Sequence, residues 1–503
     1  MTAMLLPVAF ASLLCGCLAS HASAPADEVA LLQGKLSQTP LEATPEARLK
    51  AAMEMAKGRQ GEQSEPSTDI TQAMVNFGDA QYVSYMQMGK QMIAGIVDTG
   101  SFELVVFGSD CVSCSVAAHY SHHLSDTFEP GTISTVHNYG SGGALCDEAM
   151  ETVSMGPYPP VRQMFWEVVD AQMPVLQNAA FEAIIGVGPT ETALLEIYNE
   201  VDRSIKNLTS YYDKSMVAPA ESVQMAQQMV KIALKLGNEL PMLHSWGVDQ
   251  FSICMGTGHG ADGVIVWNDT QPVTHGERFV TVPVLGELHT WSASLTAPAL
   301  VHADSTSVSL VGCANGCEAL IDSGTSLLAA PLPVLNSILD AMNALEPDCS
   351  NLDVLPTLNF KLGDHDFSLP PSAYIAKLSG EMSGYVENKL PRSMANVSHT
   401  SRQCELVMMD TSDFGESALW IFGVPFFRKY YTNFRLGSTL DEREFRIAPH
   451  GEEECVPEDP AKLGMATDRK PQRPREIQAN RLHLPHPRRQ SQKASRRQWS
   501  YRK

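Results

Sequence analysis

Two short turns carry the residues best suited to chemistry in this chain of 503 residues. One lies in "IVDTGSFELVVFG" at 96–108 and the other in "LIDSGTSLLAAP" at 320–331, each behind two aliphatic residues. Both read Asp, hydroxyl residue, Gly, hydroxyl residue. A single Asp-Thr-Gly is an ordinary turn, which Asp opens and Gly completes by permitting positive φ. At average residue frequencies, one such tetrapeptide in a chain this long has a chance of roughly a few hundredths. Two copies in matching hydrophobic surroundings call for a shared cause. Two carboxylates brought within hydrogen-bond distance cannot both ionise easily, so the pair holds one proton. Such a pair can polarise water with one carboxylate while the other, protonated, donates to a carbonyl oxygen. The glycines beside each Asp let backbone N–H groups approach the carboxylates. The hydroxyls of Thr99, Ser101, Ser323 and Thr325 are placed to orient them.

The elements that would position these turns repeat as well. "AIIGVGP" (183–189) and "LWIFGVPFF" (419–427) both run from aliphatic residues into Gly. Gly186 lies 88 residues after Asp98, and Gly423 lies 101 after Asp322. Each half thus offers one Asp turn and one apolar strand ending in Gly, as a two-carboxylate site at a pseudo-symmetric interface requires. Between about 73 and 447 the text consists of short β-rich runs, among them "AQYVSYMQM", "QFSICMG", "GVIVW", "RFVTVPVL" and "TLNFKL". Runs of this kind indicate an all-β class. Helical patterning is confined mainly to 190–237, where Ser222 is read as N-cap and Gly237 as stop. There Val223, Ala226, Met229, Val230 and Ala233 form one apolar face.

Composition bounds the rest. Apolar residues make up 44%, ample for a sizeable core. The formal charge of −21 is split: residues 456–503 hold 13 Lys and Arg against 4 Asp and Glu, net +9. The other 455 residues hold 23 against 53, net −30, which repels phosphates and argues against nucleic-acid binding. Residues 1–24 read as a secretory signal peptide, with Ala22-Ser23-Ala24 as the cleavage site and a lipoprotein anchor at Cys17 as the rival. No other apolar stretch reaches membrane length, so no transmembrane segment is expected. Residues 25–70 are polar and read as a propeptide or a linker, and 456–503 as a disordered basic tail. Nine cysteines follow the signal segment, and sequons stand at Asn207, Asn268 and Asn396. In an oxidising compartment Cys111 with Cys114, and Cys313 with Cys317, suggest short-range disulfides. Cys254 with Cys455 is a further suggested pair, and Cys146 an inert half-buried thiol. "CVSCSVAAHYSHH" (111–123) also admits a zinc reading through its cysteines and His119, His122 or His123.

Taken together, "VDTGS", "YGSGG" (139–143), "FEAIIGVGP", "QFSICMG", "CANGCEALIDSGTSLLAAP", "PPSAYI" (370–375) and "LWIFGVPFFRKYYTNF" resemble the pepsin-like aspartic proteases over 80–449. The resemblance implies a bilobal fold of two pseudo-symmetric β-barrel lobes, 71–245 and 246–455, with a cleft between them and 190–237 as a helical insertion. It implies catalytic Asp98 and Asp322, oriented by Thr99, Gly100, Ser101, Ser323, Gly324 and Thr325. It makes Tyr139, Gly140 and Ser141 the flap, and Phe181 and Ile184 the lining of the main hydrophobic subsite. It pairs Cys111 with Cys114, Cys313 with Cys317 and Cys349 with Cys404, and calls for no metal or cofactor. Val105 stands where the family usually has a Trp that hydrogen-bonds the flap Tyr. Val424 and Arg435 stand where Asp is usual. The expectation is a monomeric aspartic endopeptidase made as a zymogen in the secretory pathway, extracellular or vacuolar/lysosomal, acting on proteins or peptides. The rival is a catalytically weak peptide-binding protein of the same fold.

Overall fold

The computed structural model describes residues 70–156, 158–189, 197–206, 219–239, 241–285, 290–302, 308–380, 390, 404–412, 419–437, 442–451, 455–462, 474–483 and 499–501. All of them belong to one compact unit. The signal segment 1–24, residues 25–69 of the expected propeptide, and the sequons at Asn207 and Asn396 lie outside the described residues.

The strands arise where the sequence alternates or turns sharply. Thr357–Leu362 alternates half-buried and buried residues along its length. It reverses into His365–Leu369 through a two-residue turn whose Gly363 has φ +57°. Gln81–Met88 and Gln91–Asp98 form the corresponding hairpin in the first half, with Gly89 at φ +55°. Such tight hairpins need positive φ, which Gly supplies without steric cost.

Fourteen strands form one continuous path. Its first part, Val280–Pro283, Glu444–Pro449, Tyr430–Arg435, Gln250–Met255, Gly263–Trp267 and Ile70–Phe77, draws on both halves of the repeat and joins them. The path continues through Gln81–Met88, Gln91–Asp98, Ala183–Gly186, Leu104–Phe107, Val161–Gln172 and Gly142–Met155. Met86 also pairs with Met155, which closes those six strands into a ring. In the second half the path from His365–Leu369 to Met408–Asp410 is open among the described residues, so closure of the sheet is confined to the first half.

The repeat inferred from the sequence is visible in strand pairing. Gln91–Asp98 runs parallel to Ala183–Gly186 with Asp98 opposite Gly186. Cys317–Ile321 runs parallel to Leu419–Phe422 with Ile321 opposite Phe422, one residue before Asp322 and Gly423. Every residue of Ala183–Gly186 and of Leu419–Phe422 is buried, as befits parallel strands covered on both faces.

Among the described residues four disulfides join Cys111 to Cys114, Cys254 to Cys455, Cys313 to Cys317 and Cys349 to Cys404. Cys146 is buried outside them. The first bridge removes both thiolates from the zinc reading at 111–123. His122 and His123 face Glu167 and Asp110 instead, at 2.8 and 3.1 Å. Asn268 spends its side-chain nitrogen on Gly247 O (3.0 Å) and the Tyr158 hydroxyl (3.3 Å), contacts that a glycan there would displace.

Within the insertion the helix Ala220–Leu236 starts two residues before the expected N-cap Ser222, because Pro219 already sets the turn. It buries Ala226, Met229, Val230, Ile232, Ala233 and Leu236, leaves Val223 half-buried, and stops at Gly237 as expected. Its Lys235 bonds Glu148 (2.7 Å) and Thr132 (3.1 Å) on the hairpin formed by Glu129–Tyr139 and Gly142–Met155. No helix among the described residues is long and apolar enough to cross a membrane.

Part of the segment expected to be disordered is ordered. Arg475–Gln478 adds a parallel strand beside Ile375–Ser379, and Trp499–Tyr501 pairs with Glu129–Tyr139. Ile477, Ala479 and Leu482 are buried with Ala80, Leu327 and Ala376. Three apolar residues in a polar tail have no period to read, and it is the waiting sheet edge that makes 475–478 a strand.

Candidate active site

The two Asp turns meet. Thr99 Oγ1 donates to Ile321 O (2.8 Å) and accepts from Ser323 N (2.9 Å). Ser323 Oγ donates to Val97 O (2.7 Å) and accepts from Thr99 N (3.2 Å). Each turn thus holds the strand before the other. Thr99 and Ser323 fix the distance between the strands that carry the carboxylates.

The carboxylates are held by the other residues, in the same way twice. Gly100 N and Ser101 Oγ donate to Asp98 at 2.9 and 2.6 Å. Gly324 N and Thr325 Oγ1 donate to Asp322 at the same distances. The glycines have a second reason to be glycine. A Cβ on Gly100 would lie 2.7 Å from the carboxyl carbon of Asp322, and one on Gly324 would enter the carboxyl of Asp98. Each turn therefore leaves room for the acid of the other.

Both acids are almost fully buried, Asp98 at 5% exposure and Asp322 at 2%. Burial raises the pKa of each. For Asp98 the neighbouring charge of Asp322 raises it further, well above the usual carboxylate range. For Asp322 the rise is offset in part by hydrogen bonds from Thr325, from Asp98 and from the backbone of Gly324 and Thr325. The two carboxyls therefore hold one proton between them.

The residues expected to form the flap stand at the tip of the hairpin Glu129–Tyr139 and Gly142–Met155, where Tyr139 pairs with Gly142. Tyr139, Gly140 and Ser141 are all buried. Gly142, at φ +136°, lies so close to the Gln172 carbonyl that no side chain fits. Val105 has Trp166 opposite it on the parallel strand Val161–Gln172. Trp166 Nε1 donates to Glu103 (2.7 Å), and its ring packs on His137, whose ring in turn stacks on Tyr139. Glu103 also faces His137 Nδ1 at 3.5 Å. Tyr139 therefore rests on a column of His137 and Trp166. Neither was singled out from the sequence, since the register that sets Trp166 beside Val105 is tertiary information. Phe181 and Ile184 are fully buried; Phe181 packs on Phe107, and Ile184 lies between Ile96 and Val105.

The model of the eukaryotic aspartyl protease family matches residues 81–440. Pepsin A of Bos taurus is 24% identical over 380 residues, covering 73% of this chain and 84% of its own. Cathepsin D of Rattus norvegicus is 25% identical over 404 residues, covering 74% and 82%. Plasmepsin VI of Plasmodium berghei is 22% identical over 384 residues, covering 73% and 75%. With the family model spanning most of its length, the chain belongs to the eukaryotic aspartyl proteases.

Proposed function

We propose that this protein is an aspartic endopeptidase that hydrolyses peptide bonds with water activated between Asp98 and Asp322. The observation that carries the reading is the reciprocal construction of the dyad: two buried acids with matching donors, locked by Thr99 and Ser323. Asp322, as carboxylate, takes a proton from water while the oxygen attacks the amide carbon. Asp98 gives its proton to the carbonyl oxygen, yielding a gem-diol. The amide nitrogen then takes a proton from Asp322 and the C–N bond breaks. A gem-diol hydroxyl returns its proton to Asp98, so that acid and amine leave and the dyad regains its single proton. No covalent enzyme intermediate forms.

Cleavage of an unfolded protein substrate between pH 3 and 7 tests this. Because the raised pKa of Asp98 keeps the shared proton in place at acid pH, activity should be high in acid and fall as pH rises through that value. A statine-type inhibitor should abolish it. Inhibitor binding without cleavage would favour the peptide-binding rival.

Four disulfides support passage through an oxidising secretory compartment. Residues 25–70, with Lys50, Lys57 and Arg59, are read as a propeptide whose cations neutralise the dyad. Full activity of the intact precursor at neutral pH would end the zymogen reading.

The flap column yields a kinetic expectation. An aromatic pair contributes about 0.5–1.5 kcal/mol beyond the area it buries, so His137→Ala should lower kcat/KM for a fluorogenic peptide roughly 3–10-fold. His137→Phe should restore most of that loss. Equal rates for all three forms would show that the column does not position Tyr139.

A further inference from the structure

The segment 474–483 runs toward the site just described. After the strand Arg475–Gln478, Gln478 N donates to Gly78 O (3.1 Å). Arg481 O then accepts from Gln81 Nε2 (2.7 Å), and the same Gln81 side chain accepts from Ala180 N (3.0 Å), the residue before Phe181. Leu482 is extended, with φ −62° and ψ 120°.

His483 comes next. Its N–H donates to Ser326 Oγ (2.8 Å), and its carbonyl accepts from Ser326 N (3.0 Å). Its ring stands edge-on against Phe181, with centroids 5.7 Å apart. Ser326 directly follows Thr325, whose hydroxyl holds Asp322 at 2.6 Å. The imidazole is 2% exposed, and its Nδ1 has no hydrogen-bond partner among the described residues. Burying a ring nitrogen without a partner carries a desolvation cost, so this imidazole does not stabilise its site through Nδ1.

A peptide cleaved at the dyad must lie extended across it, with main-chain groups paired to the walls and side chains in the subsites. The wall adjoining the Asp322 turn offers the N–H and hydroxyl of Ser326, and the nearby subsite offers Phe181. His483 uses all three. We infer that residues 479–483 occupy one arm of the peptide-binding groove as a tethered ligand, which a substrate must displace before it can span the dyad. The inference rests on reading Asp98 and Asp322 as the reacting centre of a peptidase.

Its partner is thus a segment of this chain, and its consequence is competition. A tail docked about 90% of the time weakens peptide binding about tenfold, because only the undocked fraction is competent. The test uses the full chain and a statine-type peptide inhibitor. Amide hydrogen exchange across 474–483 is followed with and without the inhibitor, and inhibitor affinity is compared with that of a Leu482→Asn/His483→Gly variant. The expected results are faster exchange at Leu482 and His483 when the inhibitor is bound, and about tenfold tighter binding by the variant. Binding by the variant alone would support the inference as well.

Inhibitor bound to the full chain with exchange at 482–483 unchanged would overturn it and leave the protease reading intact. Failure of both forms to bind would overturn both. Should the variant not fold, exchange in the unmodified chain still decides.

Discussion

Replacing Asp98 with Asn is expected to abolish most peptide cleavage while making the fold more stable at neutral pH. Losing a positioned acid–base group costs about 10²–10⁴-fold in rate, and the dyad has no second proton donor to take over. The stability gain follows from burial. Asp98 has a folded pKa raised first by desolvation and then by the charge of Asp322. A raised pKa means that folding takes up a proton. The associated stability is fully present below the unfolded value of about 3.9 and is lost as pH rises through the folded one. Asn has nearly the shape of the protonated acid and cannot ionise. The variant should therefore melt close to the unmodified protein near pH 3.5 and above it at pH 7. Thermal melts at the two pH values, run beside peptide kinetics, check both halves. A melting difference that does not change with pH would show that the pair is not electrostatically strained. Full activity in the variant would remove Asp98 from the chemistry.

The parts of this site that could be read in advance are those in which chemistry and chain position coincide. Asp98, Asp322 and their glycines stand in duplicated text, and the strands ending at Gly186 and Gly423 repeat with them, so pseudo-symmetry was legible. The short strands were too, because alternation and Gly turns are local. What could not be read depends on register and on long-range contact. Nothing in "FELVVF" shows that Trp166 will lie beside Val105, or that His137 will bridge it to Tyr139. The partners of Thr99 and Ser323 were hidden for the same reason: Ile321 O and Val97 O belong to the other half. Residues 475–483 looked disordered because their composition is polar. Their order comes from an edge on Ile375–Ser379 and a groove at Ser326 that lie some hundred residues or more away in sequence.

Arg428 supplies the largest expected stability effect, and it too was invisible as a role. It follows the helix Val424–Phe427 and is 6% exposed. Its Nη1 reaches Asp79 (3.1 Å) and the Tyr82 hydroxyl (2.8 Å), and its Nη2 reaches Thr257 O (2.6 Å) and Gly258 O (3.0 Å). One guanidinium thus ties the strand-and-helix unit after Asp322 to the turn that opens the first half. Asp79 is fully buried and also accepts from Asn76 (2.7 Å) and Gly260 N (3.2 Å). Burial alone would raise its pKa, but Arg428, followed by hydrogen bonds from Asn76, His259 and Gly260, outweighs burial and holds it below the usual range. Arg428→Met strands that carboxylate without its cation, a change that costs about 3–5 kcal/mol for a buried pair. Because the folded pKa of Asp79 is lowered, its contribution is present above about 3.9 and is lost as pH falls through the folded value. The variant should therefore fall furthest below the unmodified protein at pH 7, and the gap should narrow toward pH 3, as acid moves Asp79 toward its neutral form. Adding Asp79→Asn should recover part of the loss at pH 7, since the stranded charge disappears. Urea unfolding of the three forms at the two pH values measures this. A loss below about 1 kcal/mol, the range of exposed pairs, would mean that water reaches Asp79 and the bridge acts as a surface contact. A gap that widens in acid would reverse the sign and place the stabilising charge elsewhere.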